Sequence, residues 1–384
     1  MKKVSLLLVL VLILSLALSA CSAPEEEAAV SEVIKFGVFE PLTGANAAGG
    51  AMEIEGIEIA HELYPEVLGL PIEIVVVDNK SDKVEAANAA TRLVDKDKVN
   101  AIIGSWGSSF SMAAGPVVMD AEIPALGTSC TNPLVTLGND YYFRVTFIDS
   151  FQGVVMANYA FNELGATKVA IVQEISNDYS VGLVKFFTDE FKRLTGDEDS
   201  IVYVASYNTG DQDFTAQLTN IKTKNPDAIF APGNYSESAM LIKQAKELDI
   251  ETPFLGADTW ETPEFIDIGG EAVNGTVFST FFDSKVPLTP ESEVFLDAYR
   301  EKYGKEPASV TALAYDAYIL LVNAVERAGS ADPNAIRDAL AETNGFDGAA
   351  GVISLDSNGD AVKNAVIKTI TDGEFDYLTT IAPN

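Results

Sequence analysis

Along this chain, short runs of branched apolar residues alternate with longer stretches in which apolar positions recur every three or four residues. Segments 33–39, 72–77, 101–103, 169–172, 201–204 and 228–230 are apolar on nearly consecutive positions, the pattern of strands covered on both faces. Between them, Ala86, Ala87, Ala90, Leu93 and Val94 mark one face of an amphipathic helix, as do Val181, Val184, Phe187 and Phe191. The same spacing predicts helices over 178–193, 214–222, 237–248, 291–303, 309–328 and 333–342.

Strand and helix alternating in this order imply an α/β fold of doubly wound parallel sheets with right-handed crossovers. The alternation runs twice, over about 33–126 and about 168–255, with 141–145 between the two as a crossover. After 276–282 no further long series follows, and the late pieces are expected to complete the two sheets already begun. The expectation is therefore two lobes joined by a multi-strand hinge, 32–146 plus 282–350 and 147–281 plus 351–384. Asp356-Ser357-Asn358-Gly359-Asp360 has the composition of a calcium loop, but an EF-hand needs glycine sixth and glutamate twelfth. Here Ala361 and Ile367 stand there, so Asn358-Gly359 predicts a hairpin turn instead.

The N-terminus departs from this pattern. Lys2 and Lys3 precede an apolar run over 4–17 that ends in Leu18-Ser19-Ala20-Cys21, the layout of a secretory signal. The run is too short to span a bilayer, which takes about 20 residues. It resembles the lipobox of bacterial lipoproteins, which implies a signal peptide over 1–20, lipidation at Cys21 and a small, acidic tether over 21–31. The product would be extracytoplasmic and fastened to the membrane through its lipid alone. With Cys21 acylated, Cys130 has no partner within the chain and no disulfide forms. The net charge of -32 disfavours nucleic acid and anionic headgroups as partners, and no metal or cofactor is expected.

In open α/β sheets ligands bind beyond the carboxyl ends of the strands. There the chain places Gly104-Ser105-Trp106-Gly107-Ser108-Ser109, small and hydroxylated and leading into a helix from about Phe110. Such a loop suits a carboxylate at a helix N-terminus, although Ser108 or Ser109 as a simple cap explains it too. Gly127-Thr128-Ser129-Cys130-Thr131-Asn132-Pro133 is an equally polar loop after its own strand, so the two together form a cleft wall. In the second series Asn177-Asp178-Tyr179-Ser180, Gly233-Asn234-Tyr235-Ser236 and Gly256-Ala257-Asp258-Thr259-Trp260 occupy the corresponding ends.

These landmarks, with Gly37 to Gly44, Glu55-Gly56-Ile57-Glu58-Ile59-Ala60, Gly210-Asp211-Gln212-Asp213-Phe214 and Phe346-Asp347-Gly348 in this order, resemble the leucine/isoleucine/valine-binding proteins, the branched-chain type of periplasmic-binding-protein fold that feeds ABC importers. The resemblance implies a monomer that hands a small amino acid to an ABC permease. It also implies that Ser108 and Thr131 hold the ligand carboxylate. The Ser129 carbonyl, the Thr131 hydroxyl and Asp258 would take the ammonium, while Tyr179 and Tyr235 close over the ligand. Two departures stand out: Asp258 is shorter than the glutamate frequent in the family, and Trp106 replaces a smaller aliphatic residue. The indole either narrows an aliphatic pocket, stacks on a flat or cationic ligand, or packs within its own lobe.

An enzyme is not expected. His61 is the one histidine, on a helical face with Glu58 and Glu62 where exposure is expected, so no Ser-His-Asp arrangement is available. Neither a Gly-x-Ser-x-Gly elbow, nor Gly-x-Gly-x-x-Gly, nor a phosphate loop occurs. The alternative is a ligand-sensing domain acting on a receptor partner, or, further off, a hydrolase.

Overall fold

The computed structural model describes residues 33–383. The signal, Cys21 and tether readings fall outside the described residues. From Ile34 onward the chain forms one compact unit built around two sheets.

The first sheet contains β1 (Ile34–Glu40), β2 (Glu66–Val67), β3 (Leu70–Asp78), β4 (Ala101–Ile103), β5 (Ala125–Gly127) and β6 (Tyr142–Arg144), in the order β2-β3-β1-β4-β5-β6. All its pairings are parallel except β2 with β3. Helices α1 (Ala47–Leu63), α2 (Lys83–Arg92) and α3 (Ser108–Ala121) connect them. The segment 141–145 is thus not only a crossover: its middle is the sixth strand of this sheet, paired in parallel with β5. The crossing to the second lobe starts immediately beyond it.

The second sheet contains β7 (Val169–Glu174), β8 (Ile201–Tyr207), β9 (Ala228–Phe230), β10 (Phe254–Gly256) and β11 (Val277–Thr280), closed by β14 (Ala365–Thr371) and β15 (Glu374–Ile381). Its order is β15-β14-β11-β10-β9-β7-β8, with the last two strands antiparallel. Around it lie α4 (Asp149–Asn158), α5 (Asp178–Thr195), α6 (Thr215–Lys224), α7 (Tyr235–Glu247) and α8 (Pro263–Gly269).

The late pieces do not complete both sheets. Only the second gains strands; the first is covered instead by helices α9 (Pro290–Tyr303), α10 (Ser309–Ala328) and α11 (Pro333–Ala341), and β12 (Phe346–Gly348) pairs with β13 (Gly351–Ile353) as a separate ribbon. Helix α10 is buried on nearly every side, and it meets α1 at Gly56, where a Cβ would lie 2.1 Å from the Thr311 carbonyl oxygen. Close backbone packing there demands glycine. His61, expected to be exposed, is half-buried because α10 lies over its helix, and its Nδ1 is 2.8 Å from the Tyr318 hydroxyl. Asn358-Gly359 does form a turn, but it closes on a single bridge between Leu355 and Ala361 rather than on a two-stranded hairpin.

The chain crosses between the sheets after β6, after β11 and before β14. Phe147 and Phe281 from the first two crossings pack at 4.8 Å and join the cores of the two lobes. The third crossing is pinned by buried ion pairs, Asp360 with Arg144 at 2.6 Å and Lys363 with Asp316 at 3.3 Å. Among the described residues no helix is long and apolar enough to cross a membrane.

Candidate functional site

Between the carboxyl ends of the two sheets lies a cavity of about 300 Å³. The first lobe contributes Trp106, Ser108 and Ser129; the second contributes Tyr179, Asn234 and Asp258. Five of the seven ligand residues expected from the sequence therefore line one space. Thr131 is fully buried beneath it, and Tyr235 stands at its edge, donating its hydroxyl to the Ala45 carbonyl of the first lobe at 2.8 Å.

The first-lobe wall is built from two loops locked to each other. Helix α3 begins at Ser108, two residues earlier than its apolar pattern suggests, behind Gly107 with no side-chain cap. The capping explanation of Ser108 and Ser109 therefore fails. Ser108 Oγ accepts the Asn132 N–H at 3.0 Å, which fastens the second loop and leaves the hydroxyl proton for another acceptor. The N–H groups of Ser108 and Ser109 open the first turn and have no acceptor within the helix, so this corner attracts negative charge.

Trp106 lies over the start of α1. A Cβ at Gly49 would fall 2.5 Å from the indole, so the ring occupies space that only glycine leaves free. Its other side meets the Tyr235 ring of the second lobe edge-on, at 6.2 Å and 69°.

Sequence reasoning missed what stands behind these loops. Glu40, at the end of β1, accepts the Trp106 N–H at 2.7 Å and the Ser105 hydroxyl at 3.3 Å. Glu53, from α1, accepts the hydroxyls of Thr128 at 2.6 Å and Ser129 at 2.5 Å. Both are fully buried, and burial, with their mutual proximity acting on Glu40, raises both carboxyls well above the usual range. The available signal was a charged residue on an otherwise apolar helix face, since Met52, Glu53, Gly56 and Ile57 share one side of α1.

Opposite, Asp258 follows β10 in a short turn. Its Oδ1 accepts Gln152 Nε2 at 2.7 Å and the Tyr179 hydroxyl at 2.8 Å. Burial pushes its carboxyl up to about 6 against these two donors. Asp149, one helical turn before Gln152, is also fully buried. Desolvation lifts it to about 8, with Thr131 opposing the rise and Asp258 adding to it. Asp149 and Gln152 are the second omission, betrayed by the same signal on the buried side of α4.

The lobes touch at the cavity mouth. Lys83 reaches Asp178 at 2.6 Å, Ser109 donates to the same carboxylate at 2.9 Å, and Asn132 Nδ2 donates to the Asp178 carbonyl at 2.9 Å. Burial would raise Asp178, yet Lys83 and Ser109 hold its carboxyl below the ordinary value. Among the described residues no cluster of histidine, cysteine, aspartate and glutamate has the arrangement of a metal centre.

This two-lobed α/β fold has counterparts. A leucine-binding protein of Thermotoga maritima superimposes with a TM-score of 0.88 at 44% identity, over 91% of this chain and 99% of that one. A branched-chain amino acid transporter substrate-binding protein of Streptococcus pneumoniae, solved with isoleucine, gives 0.85 at 35% identity over 91% and 100%. An amino acid binding protein of Pseudomonas aeruginosa is 31% identical over 79% of this chain and 81% of its own length. The family model described as periplasmic binding protein matches residues 33–374, and the chain belongs to that family.

Proposed function

We propose that this chain is the extracytoplasmic receptor of an ABC importer, capturing an amino-acid zwitterion, with a branched-chain aliphatic side chain, between its two lobes and delivering it to the permease. On this reading it does no catalysis, acts as a monomer and is held to the membrane by a lipid on Cys21. The lobes comprise 32–146 with 282–350 and 147–281 with 351–384.

The observation that carries the reading is the polarity of the cavity: hydroxyls and N–H groups at the α3 start on one side, buried Asp258 on the other. In this arrangement Ser108 and the first-turn amides of α3 take the carboxylate. Asp258, held in place by Gln152 and Tyr179, takes the ammonium with Thr131 and the Ser129 carbonyl. A buried charge is tolerated only with a partner and hydrogen bonds, so each end of the ligand supplies what the opposite wall lacks. Trp106, wedged on Gly49, limits side-chain length, and Tyr235 closes over it. Because Ser108 and Asp258 belong to different lobes, the ligand binds the closed form preferentially and shifts the population towards it.

The test is calorimetry with leucine, isoleucine, valine, alanine and an aromatic acid. At least one aliphatic amino acid should bind, and Asp258→Ala and Thr131→Ala should each weaken it by about 10-fold or more, the cost of an unpaired buried charge or polar group. Unchanged affinity in both variants would remove this site.

A further inference from the structure

Beneath the cavity the second lobe holds more acid than one ammonium strictly needs. Both carboxyl oxygens of Asp149 are buried without a well-aligned hydrogen-bond partner among the described residues, and so are Thr131 Oγ1 and Gln152 Oε1. Asp149 opens α4, yet it does not cap the helix, whose N-cap is Ile148 without any side-chain bond. The first turns of α5 cover it: a Cβ at Gly182 would sit 3.6 Å from Asp149 Oδ2. The Thr131 hydroxyl lies near enough to oppose the rise of Asp149, but neither Asp149 oxygen has a well-aligned donor, which is costly unless something positive arrives.

We propose that Asp149 is a second carboxyl answering the ligand ammonium, so that capture of an amino-acid zwitterion expels a proton from Asp149 to the solvent. The inference rests on the reading of the cavity as a zwitterion site. Around the two aspartates charge balances, since one positive charge enters as the ammonium and one leaves as the proton; the ligand carboxylate is answered separately by the first-turn amides and Ser108 of α3.

The groups facing Asp149 support this direction. Asp258, from the turn after β10, adds repulsion; Arg144, from β6, opposes it but is committed to Asp360 at 2.6 Å. Tyr179, from α5, is itself raised by burial and by both aspartates, so it stays a neutral donor. Glu261 raises Asp258 in turn. With Asp149 at about 8 and Asp258 at about 6 before capture, neutral solution finds the first protonated and the second ionised. An ammonium lowers both, and the proton leaves Asp149.

The experiment is titration of the whole protein with L-leucine in phosphate and in Tris at neutral pH, where the difference in heat counts protons, repeated across the pH range 6 to 8. Between pH 7 and 8, where Asp258 is already ionised, about half to one proton should be released per leucine, and affinity should tighten as pH rises, by at most about tenfold per pH unit. Asp149→Asn should bind several-fold more weakly, by a factor that grows from pH 7 to pH 8, and should release almost no proton there, because Asp258 is already ionised at those pH values. The buffer comparison on the unaltered protein decides the matter even if that variant does not fold. At pH 7 to 8, leucine binding without proton release, or release undiminished in Asp149→Asn, overturns the inference and leaves the zwitterion site standing. Failure of every amino acid to bind overturns both.

Discussion

The two lobes each bury a pair of carboxyls beside the cavity, and they provision them differently. In the first lobe Glu40 and Glu53 each accept two donors, the Trp106 N–H and Ser105 hydroxyl on Glu40 and the Thr128 and Ser129 hydroxyls on Glu53, although Glu40 Oε1 has no well-aligned donor. In the second, Asp258 accepts two donors while Asp149 has no well-aligned one. A supplied pair fastens two ligand loops to the sheet beneath; an undersupplied pair keeps capacity for a positive charge that is not part of the chain. Burial raises all four carboxyls, but Glu40, Glu53 and Asp258 each accept two donors, so the count of donors singles out Asp149.

The largest expected effect tests the scaffold half. Glu53→Ala leaves the hydroxyls of Thr128 and Ser129 unpaired and opens a cavity under both loops. The loss should be about 3 kcal/mol, from a large-to-small change combined with broken buried hydrogen bonds. The apparent Tm should fall by roughly 4 °C, given the entropy of unfolding about 350 residues together. Glu53→Gln keeps the volume and should behave differently with pH. Because both glutamates are raised in the folded protein, the folded state keeps protons that the unfolded chain gives up. Their contribution is full below about pH 4, the ordinary glutamate range, and is lost as pH rises towards neutrality. Melting between acidic and neutral pH should therefore show a shallower decline in Glu53→Gln. Equal slopes, or an undiminished Tm in Glu53→Ala, would erase the distinction between the two pairs.

A smaller effect is expected at Gly49. Alanine there puts a methyl 2.5 Å from an indole whose backbone N–H is tied to Glu40. With the loop fastened, the strain has no easy outlet, and overpacking should cost about 1–3 kcal/mol. Leucine affinity should drop by roughly tenfold as Trp106 is driven into the cavity, a change worth about 1.4 kcal/mol. Normal stability and normal affinity in Gly49→Ala would mean that the loop yields freely and that the Glu40 tether does little.

Much of this was legible in the sequence where a pattern is local. Helix α10 keeps the predicted bounds, because from Val310 to Val325 its residues are apolar save Thr311, Asp316 and Asn323. The loops holding Trp106, Ser108, Ser129, Tyr179 and Asp258 were found because strand ends in doubly wound sheets define the crevice. What escaped depends on contacts between distant segments. Glu53 meets Ser129 across 76 positions and Gln152 meets Asp258 across 106, and nothing in either neighbourhood names the partner. β6 was passed over as a strand because its three residues, Tyr142 to Arg144, include an arginine. Arg144 is buried because Asp360, brought back by the third crossing, pairs with it and the carbonyls of Cys130 and Asn132 and the Thr136 hydroxyl accept its remaining N–H groups.

The smallest effect lies at the rim, where Lys83 and Asp178 bridge the lobes while their side chains remain 49% and 42% exposed. Exposed pairs of this kind contribute at most about 1 kcal/mol, far less than a buried carboxyl with its donors. This pair joins one lobe to the other, so whatever it contributes belongs to the closed form and should appear in ligand affinity. Lys83→Met should weaken leucine binding by no more than about fivefold. High salt should bring the unaltered protein close to the variant, since exposed charges are screened. Calorimetry of both proteins at low and high salt measures this directly. A loss of fifty-fold or more would mean that closure is governed at the rim and that the buried acids are secondary. A small, salt-sensitive loss, set beside a large one in Asp258→Ala, locates the grip on the ligand in the cavity and assigns the rim only a correction to the closing equilibrium.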